Sequence, residues 1–439
     1  MSLHDPQILH VLDLLHEAEA VLESGLTPLP PSQITVSPGQ SIQAAIDNAA
    51  ADATILIEPG VYAGHLAIGA RPVTLRPSVP VPTGTRDPAW NPVTITDTSD
   101  TTITLSGSDR ARLLGLTVRN TNPQATLITD LGIGTQLDRL LVLGDVVNGQ
   151  HRGILAHGQD GVYVNLFVDD CGLPGRDGQA ICGWDGTRDL LITDSYLGGA
   201  AQSLMFGGAD STSPERMPTR ITVERCHLGK NPDWYGKFDV KTSLELKCCV
   251  GFVMTDCVLQ WSGTSGGQSG YLIVLTPRNQ DGAAPWSCID GVLIERCRCI
   301  TGGAGISLLG RDDTNPSGPL VNVVIRDVSV EDINPASYGG SGWVVFLNHA
   351  PQHVTIERLT AQGPSVQSIV YVVDPAVGLT LRDFNVTGAP SEYPYKINDG
   401  GSGLAALQAY MPDAVIAITD QDQGAQHLPP APGREPYRA

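Results

Sequence analysis

Positive charge is scarce in this chain. Its 439 residues carry 27 Lys and Arg against 46 Asp and Glu, a formal net charge of −19. Lysine is the scarcest charge, with five copies. Such a balance argues against a nucleic-acid partner, whose phosphates are neutralised by Lys and Arg. It also argues against long-range attraction of a polyanion, unless a local basic patch or a cation offsets it. No run of eighteen apolar residues exists, so no membrane span is expected. The nine cysteines are odd in number and follow no paired Cys-x-x-Cys spacing, so no metal site is expected from them. Residues 1–24 lack a basic start and an apolar core, and carry Asp5, Asp13, Glu17, Glu19 and Glu23. That is not a secretory signal, and export is expected only if a native signal has been removed.

What the chain has in quantity is turns and a repeat. Gly 49 and Pro 32 imply many chain reversals. Between them a short apolar–x–apolar strand recurs. The copies are Leu116–Thr121, Leu140–Asp145, Leu166–Cys171, Leu190–Ser195, Ile221–Cys226, Phe252–Cys257, Val292–Cys297, Val323–Val328, Val354–Leu359 and Leu379–Phe384. Their last residues are 24, 26, 24, 31, 31, 40, 31, 31 and 25 apart. A fixed strand motif at such a period is the signature of a solenoid. The minimum near 24 suits one coil of three short strands, and excess length leaves as loops. The expected fold is all-β: a single-stranded right-handed parallel β-helix of about ten coils, roughly 50 Å long at ~4.8 Å per coil. Cys171, Cys226, Cys257 and Cys297 end four copies and are expected to form one interior ladder of small buried thiols.

The ends differ from the middle. Leu3, Ile8, Val11, Leu12, Leu15, Ala18, Val21 and Leu22 mark an amphipathic helix, and 26–33 is a Pro-rich linker, so 1–33 forms an N-terminal segment. Residues 34–62, with Ser41 as N-cap of a short helix, read as a cap that covers the open first coil. The β-helix proper then takes 63–390. A C-terminal cap, with a helix over Leu404–Met411 and a strand over Ala414–Ile418, and a Pro-rich tail take 391–439.

A second strand series precedes the first. It includes Ser203–Phe206, Ser243–Lys247, Tyr271–Leu275 and Gly305–Leu309. Alternation points Leu244 and Leu246 inward, and Glu245 and Lys247 outward. The outward column beside Glu245 is expected to hold Met205, Ile273 and Ser307. Long loops flank these strands on both sides, which makes a trough over the middle coils. Four of the five lysines fall at 230, 237, 241 and 247, and four of the six tryptophans lie on or beside the loops, with Trp184 on the neighbouring coil. Aromatic faces stack on sugar rings, while carboxylates, Lys and Arg bond hydroxyls or uronate groups. The candidate substrate-binding residues are Trp184, Trp234, Tyr235, Lys241, Trp261, Asn279, Trp286, Arg311 and Trp343. The candidate catalytic residues are Glu245, Lys247, Asp210, Arg278, Asp312 and Asp313. Carboxyl pairs suit glycoside hydrolysis, and a base with a cation or Arg suits β-elimination from a uronate. A Glu245–Lys247–Arg278 salt-bridge ladder is the structural alternative.

Residues 34–62 and 110–384 resemble the pectate-lyase-like right-handed β-helix superfamily, and 178–349 a bacterial and phage group within it. The motifs are Gln179–Trp184, Leu204–Asp210, Leu244–Lys247, Leu275–Gly282 with Pro285-Trp286, and Gly305–Asp313. The resemblance implies the fold and a carbohydrate polymer as partner. The chain shows no counterpart of the three-carboxylate calcium site and Arg base of true pectate lyases, while a divalent cation such as calcium stays open as a cofactor. Two function classes follow. One is a glycan-recognising component of a larger assembly such as a phage tail spike or fibre, virion-associated, homotrimeric, with or without polysaccharide cleavage. The other is a soluble polysaccharide lyase or glycoside hydrolase.

Overall fold

The computed structural model describes residues 32–69, 71–81, 91–387, 395–398 and 400–418. The expected N-terminal helix and the Pro-rich tail lie outside them. Every strand pairing between named strands is parallel, as a coiling chain requires. Among the described residues, twelve strands stack into one wall, from Leu66–Ile68 to Tyr395–Ile397. Twenty-four more form a second sheet that folds around the other two sides. Strands such as Leu320–Ile333 run along both of those sides without a break. The right-handed parallel β-helix expected from the repeat is the fold. Its ladder is longer than ten coils, because weakly patterned strands at both ends add to it.

The core is a continuous column of Val, Ile and Leu, with Leu244, Ile273, Ile306, Val345 and Val370 in one register on the twelve-stranded wall. β-Branched side chains suit such strands because their restricted rotamers pack well on a pleated surface. Ser41 caps the short helix Ile42–Asn48, its Oγ accepting from the Ala44 N–H at 3.1 Å. The C-terminal end carries the helix Leu404–Tyr410 and the strand Val415–Ala417. No helix among the described residues is long and apolar enough to cross a membrane.

One corner of the coil is built from charged residues in the left-handed backbone region. Asp194, Arg225, Asp256, Arg296, Asp327, Arg358 and Asp383 all have φ between 51° and 58°. Each Arg here forks onto the Asp one coil before it: Arg225 on Asp194 at 3.1 and 2.9 Å, Arg296 on Asp256 at 2.8 and 2.9 Å, Arg358 on Asp327 at 2.6 and 2.8 Å. Left-handed backbone costs a non-Gly residue about 1 kcal/mol, and the stacked ion pairs offset part of that. These charges close the corner.

The thiol ladder is shorter than its motif implies. Cys226, Cys257 and Cys297 precede His227, Val258 and Arg298, which share a register, and the Cys226 N–H points at the Cys257 sulfur at 3.4 Å. Residues in register with Cys226 in the two preceding coils are Ser195 and Leu166, since Phe167 pairs with Tyr196 and Tyr196 with His227. Cys171 pairs with Gly199 instead. The first three copies of the motif therefore sit one strand later in their coils than the rest. All nine cysteines are free, and all but Cys288 are buried.

Candidate functional site

The outer face of the twelve-stranded wall carries the candidate site. Its central column reads Cys182, Met205, Glu245, Val274, Ser307, Phe346, Tyr371, Lys396 along the helix axis. Val274, not Ile273, holds the place after Glu245. Ile273 pairs with Leu244 and Ile306 inside the core. Tyr271–Leu275 is apolar and buried at every position, so the sequence has no contrast that marks its outward side chains.

Upstream of Glu245 the face is polar and tightly bonded. Arg152 Nε donates to Gln179 Oε1 at 3.2 Å, and Gln179 Nε2 to Gln202 Oε1 at 3.3 Å. Gln202 Nε2 then donates to two carboxylates, Glu245 Oε2 at 2.7 Å and Asp177 Oδ2 at 3.1 Å. Lys241 Nζ donates to Asp177 Oδ1 at 2.5 Å, and Lys247 Nζ stands 3.6 Å from Glu245 Oε1. Gln179, Gln202 and Glu245 are buried, while Asp177, Lys241 and Lys247 remain partly open. One amide nitrogen bonds both carboxylates, so the two bonded oxygens lie no more than about 6 Å apart, a range that includes the ~5–5.5 Å carboxyl spacing of retaining glycosidases.

The electrostatics decide what this pair can do. Burial alone would raise the Asp177 carboxyl, but the hydrogen bond and charge of Lys241, the Gln202 amide and Lys247 hold it below its ordinary value. Asp177 is thus an anion and acceptor, not a proton donor. Beneath it Lys230 is buried, its Nζ donating to the Gly199 carbonyl at 2.7 Å and the Ala201 carbonyl at 3.4 Å. Burial pushes the Lys230 ammonium well below its ordinary value, against the pull of Glu245 and Asp177. Trp184 sits at the Arg152 end. His157 meets its ring edge-on at 4.4 Å, and the Arg152 guanidinium lies 5.2 Å from its centre. The Trp184 backbone N–H donates to His157 Nε2 at 3.3 Å. Burial first, and then Arg152 and Arg216 against the pull of Asp185, take the imidazole down to about 4, which keeps that nitrogen an acceptor at neutral pH.

The other candidate acids and bases form a separate cluster in the loops. Arg278 pairs with Asp312 at 2.8 Å and also with Asp313. Asp312 accepts from the Asn279 N–H at 2.8 Å, and Asn279 Nδ2 donates to the Pro316 carbonyl at 2.8 Å. Asp210 Oδ2 accepts from the Asp281 and Ala283 N–H groups at 3.1 and 2.8 Å, and Trp286 Nε1 donates to Ser211 Oγ at 3.0 Å. These bonds fasten the loops after the strands Gln202–Phe206, Tyr271–Leu275 and Ala304–Leu309 into one wall of the trough. Arg311 lies exposed on it. Arg278 reaches the Glu245 group through its backbone alone, N–H to the Lys247 carbonyl at 2.8 Å. The three-residue Glu245–Lys247–Arg278 ladder is therefore not formed, since the Arg278 side chain turns to Asp312 and Asp313.

On the opposite wall, Trp234 is buried against Phe238, Val240 and Ala200, so its ring cannot meet a ligand. Tyr235 bonds the Ser262 carbonyl through its hydroxyl, and Trp261 packs edge-on against Tyr235 and Tyr338, at 6.0 and 5.3 Å. Trp343 stays half-buried on the sheet face itself. Asp177, Gln179, Gln202, Arg152 and Lys230 were not singled out from sequence as site residues. A signal existed for the two glutamines, which stand 23 residues apart and open equivalent strands. Asp177 lies in an irregular turn with no periodic cue. Among the described residues no group of three or more His, Cys, Asp or Glu is arranged to hold a metal ion.

Comparison with solved structures gives the catalytic domain of a GH87 alpha-1,3-glucanase in complex with tetrasaccharides, at TM-score 0.53 and 10% identity over 89% of this chain and 69% of that one. The likeness is one of fold. An alginate lyase from Paenibacillus sp. covers 84% of this chain and 99% of its own, at TM-score 0.39 and 14% identity. An exopolygalacturonase of family 28 from Yersinia enterocolitica covers 86% and 80%, at TM-score 0.44 and 12% identity. No protein-family model and no curated protein matches the chain.

Proposed function

We propose that this chain recognises a polysaccharide, held lengthwise along the outer face of the twelve-stranded wall. The observation that carries the reading is the Asp177–Gln202–Glu245 group with Lys241 and Lys247 beside it. Such a group offers charged acceptors and donors at fixed positions, which is what a run of sugar hydroxyls requires. A glycan chain advances by about one strand spacing per pyranose, so a ladder of coils at ~4.8 Å can meet successive sugars. The GH87 catalytic domain, of the same fold, is seen with nigerose and with tetrasaccharides.

The carboxylate spacing favours a second reading, glycoside cleavage at the same place. Asp177, held ionised by its lysine, suits the nucleophile or base, so the acid would have to be Glu245, whose two oxygens already face donors, the Gln202 amide and the Lys247 ammonium. Recognition is the reading supported better. Membership of a larger assembly, virion-associated and trimeric, belongs to the same proposal and is tested by the mass of the chain in solution.

The test is affinity electrophoresis of the full chain through gels carrying dextran, alginate or polygalacturonate, with reducing-end and unsaturated-product assays alongside. Retardation in at least one gel, lost in Glu245→Gln with Lys247→Ala, is expected. Retardation unchanged in that double variant would place binding elsewhere.

A further inference from the structure

The column that passes through Glu245 runs on to aromatic rings. Past Val274 and Ser307 come Phe346 and Tyr371, with Trp343 and Tyr271 beside them. These rings form a cluster outside the main core, on the outer side of the sheet. Tyr271 and Phe346 are stacked, 6.0 Å apart and tilted by 18°. Trp343 lies 5.1 Å from Phe346 at 31°. Tyr271 and Phe346 are thus near-parallel, with Trp343 inclined to them. Tyr371 closes the end of the row, edge-on to Trp343 at 4.5 Å. Trp343, Phe346 and Tyr371 are each only partly buried.

Polar groups stand beside the row. Lys396 Nζ lies over the Tyr371 and Trp343 rings, 4.6 and 5.7 Å from their centres. The Tyr271 hydroxyl is 3.4 Å from Ser341 Oγ, and Ser307 lies in the column before Phe346. A partly open cluster of rings with donors and acceptors beside it matches a pyranose, whose C–H face is apolar and packs on a single ring while its hydroxyls project at the rim. A lipid tail or a hydrophobic helix would leave those donors and acceptors unmatched.

Resting on the reading that the trough takes a glycan, we infer that Trp343, Phe346 and Tyr371, with Lys396 beside them, form a stacking subsite for pyranose rings of the same chain. Phe346 stands three coils beyond Glu245, about 14 Å at ~4.8 Å per coil. The subsite therefore takes sugars about three units from those at Asp177 and Glu245, and short oligosaccharides span only one of the two places.

The experiment labels the full chain with 5-fluorotryptophan and titrates it with maltohexaose, alginate hexamer and hexagalacturonate. Trp343 is assigned from Trp343→Phe. Affinities of Trp343→Ala and Tyr371→Ala are then measured on whichever polymer retards the wild type. The expected result is a shift of the Trp343 resonance and about tenfold weaker binding in either alanine variant, with Trp343→Phe keeping most of the affinity. If the polymer binds, and binding falls in the Glu245 and Lys247 variants but not in the alanine variants, the platform is refuted while the recognition reading stands. If none of the glycans binds, both fall. A Trp343 resonance that moves with protein concentration, and not with glycan, would assign the rings to contact between copies of the chain and overturn the inference.

Discussion

Gln202→Leu is the most informative single change. The side chain is 1% exposed, and its amide nitrogen serves Glu245 at 2.7 Å and Asp177 at 3.1 Å. Leucine fills similar space and offers neither bond. A hydrogen bond to a charged group contributes about 1.5–3 kcal/mol, and a buried acceptor left without one loses its share in full. Lys247 and Lys241 still face the two carboxylates, which limits the damage. The expected loss is about 3 kcal/mol, near the lower bound for two such bonds. The pH dependence has a sign. The Asp177 carboxyl is held below its unfolded value, so its contribution is present above the ordinary carboxylate pKa of ~3.9 and disappears as pH falls through the lower folded value. The gap between wild type and variant should therefore be full at neutral pH and shrink below about pH 4. Urea unfolding measures the total. Because a solenoid unfolds in pieces, hydrogen exchange in Gln202–Phe206 and Thr242–Leu246 gives the local loss. A change under about 0.5 kcal/mol at neutral pH, or one that does not depend on pH, would refute the role given to Gln202.

Other expectations follow from the same structure. Tyr163→Phe removes the 2.6 Å hydroxyl bond to the buried Asp130, whose carboxyl burial raises despite donors from Tyr163, Gly132 and Thr135. A raised folded value means that the stability linked to Asp130 is present at low pH and lost as pH rises. The variant should lose about 1.5–3 kcal/mol near pH 8 and less near pH 4, measured by denaturation. Burial holds the Cys257 and Cys249 thiols well above their ordinary value, so a thiol reagent added to the native chain should reach Cys288 first and the rest only after unfolding. At the charged corner, Arg296→Ala should cost about 1 kcal/mol or less, with a smaller effect at high salt, because the Arg296–Asp256 pair is partly exposed.

The fold was legible because a β-helix repeats its own geometry, and the strand motif carries that geometry from Leu190 onward. Where the motif occurs in the first three copies, the same apolar spacing fits two different strands of a coil, and Cys171 was placed in the wrong column. Periodicity cannot tell such strands apart without their neighbours. A similar ambiguity exchanged Ile273 for Val274, since Tyr271–Leu275 is apolar at every position and alternation has no contrast to read. The alternating Asp and Arg of the corner stood in the fifth place of the later motifs, visible but without meaning until the coils were stacked. The site was legible in half. Glu245, Lys247 and Lys241 stand out because lysine is rare. Asp177 comes from a turn, and only the fold brings it to Glu245.

The trough itself is tested most directly by one measurement, the retardation of the full chain in gels of dextran, alginate and polygalacturonate, compared with Glu245→Gln/Lys247→Ala. A glycan-recognising face predicts retardation in at least one gel and mobility close to that in a plain gel for the double variant. Equal mobility of both proteins in every gel would contradict it.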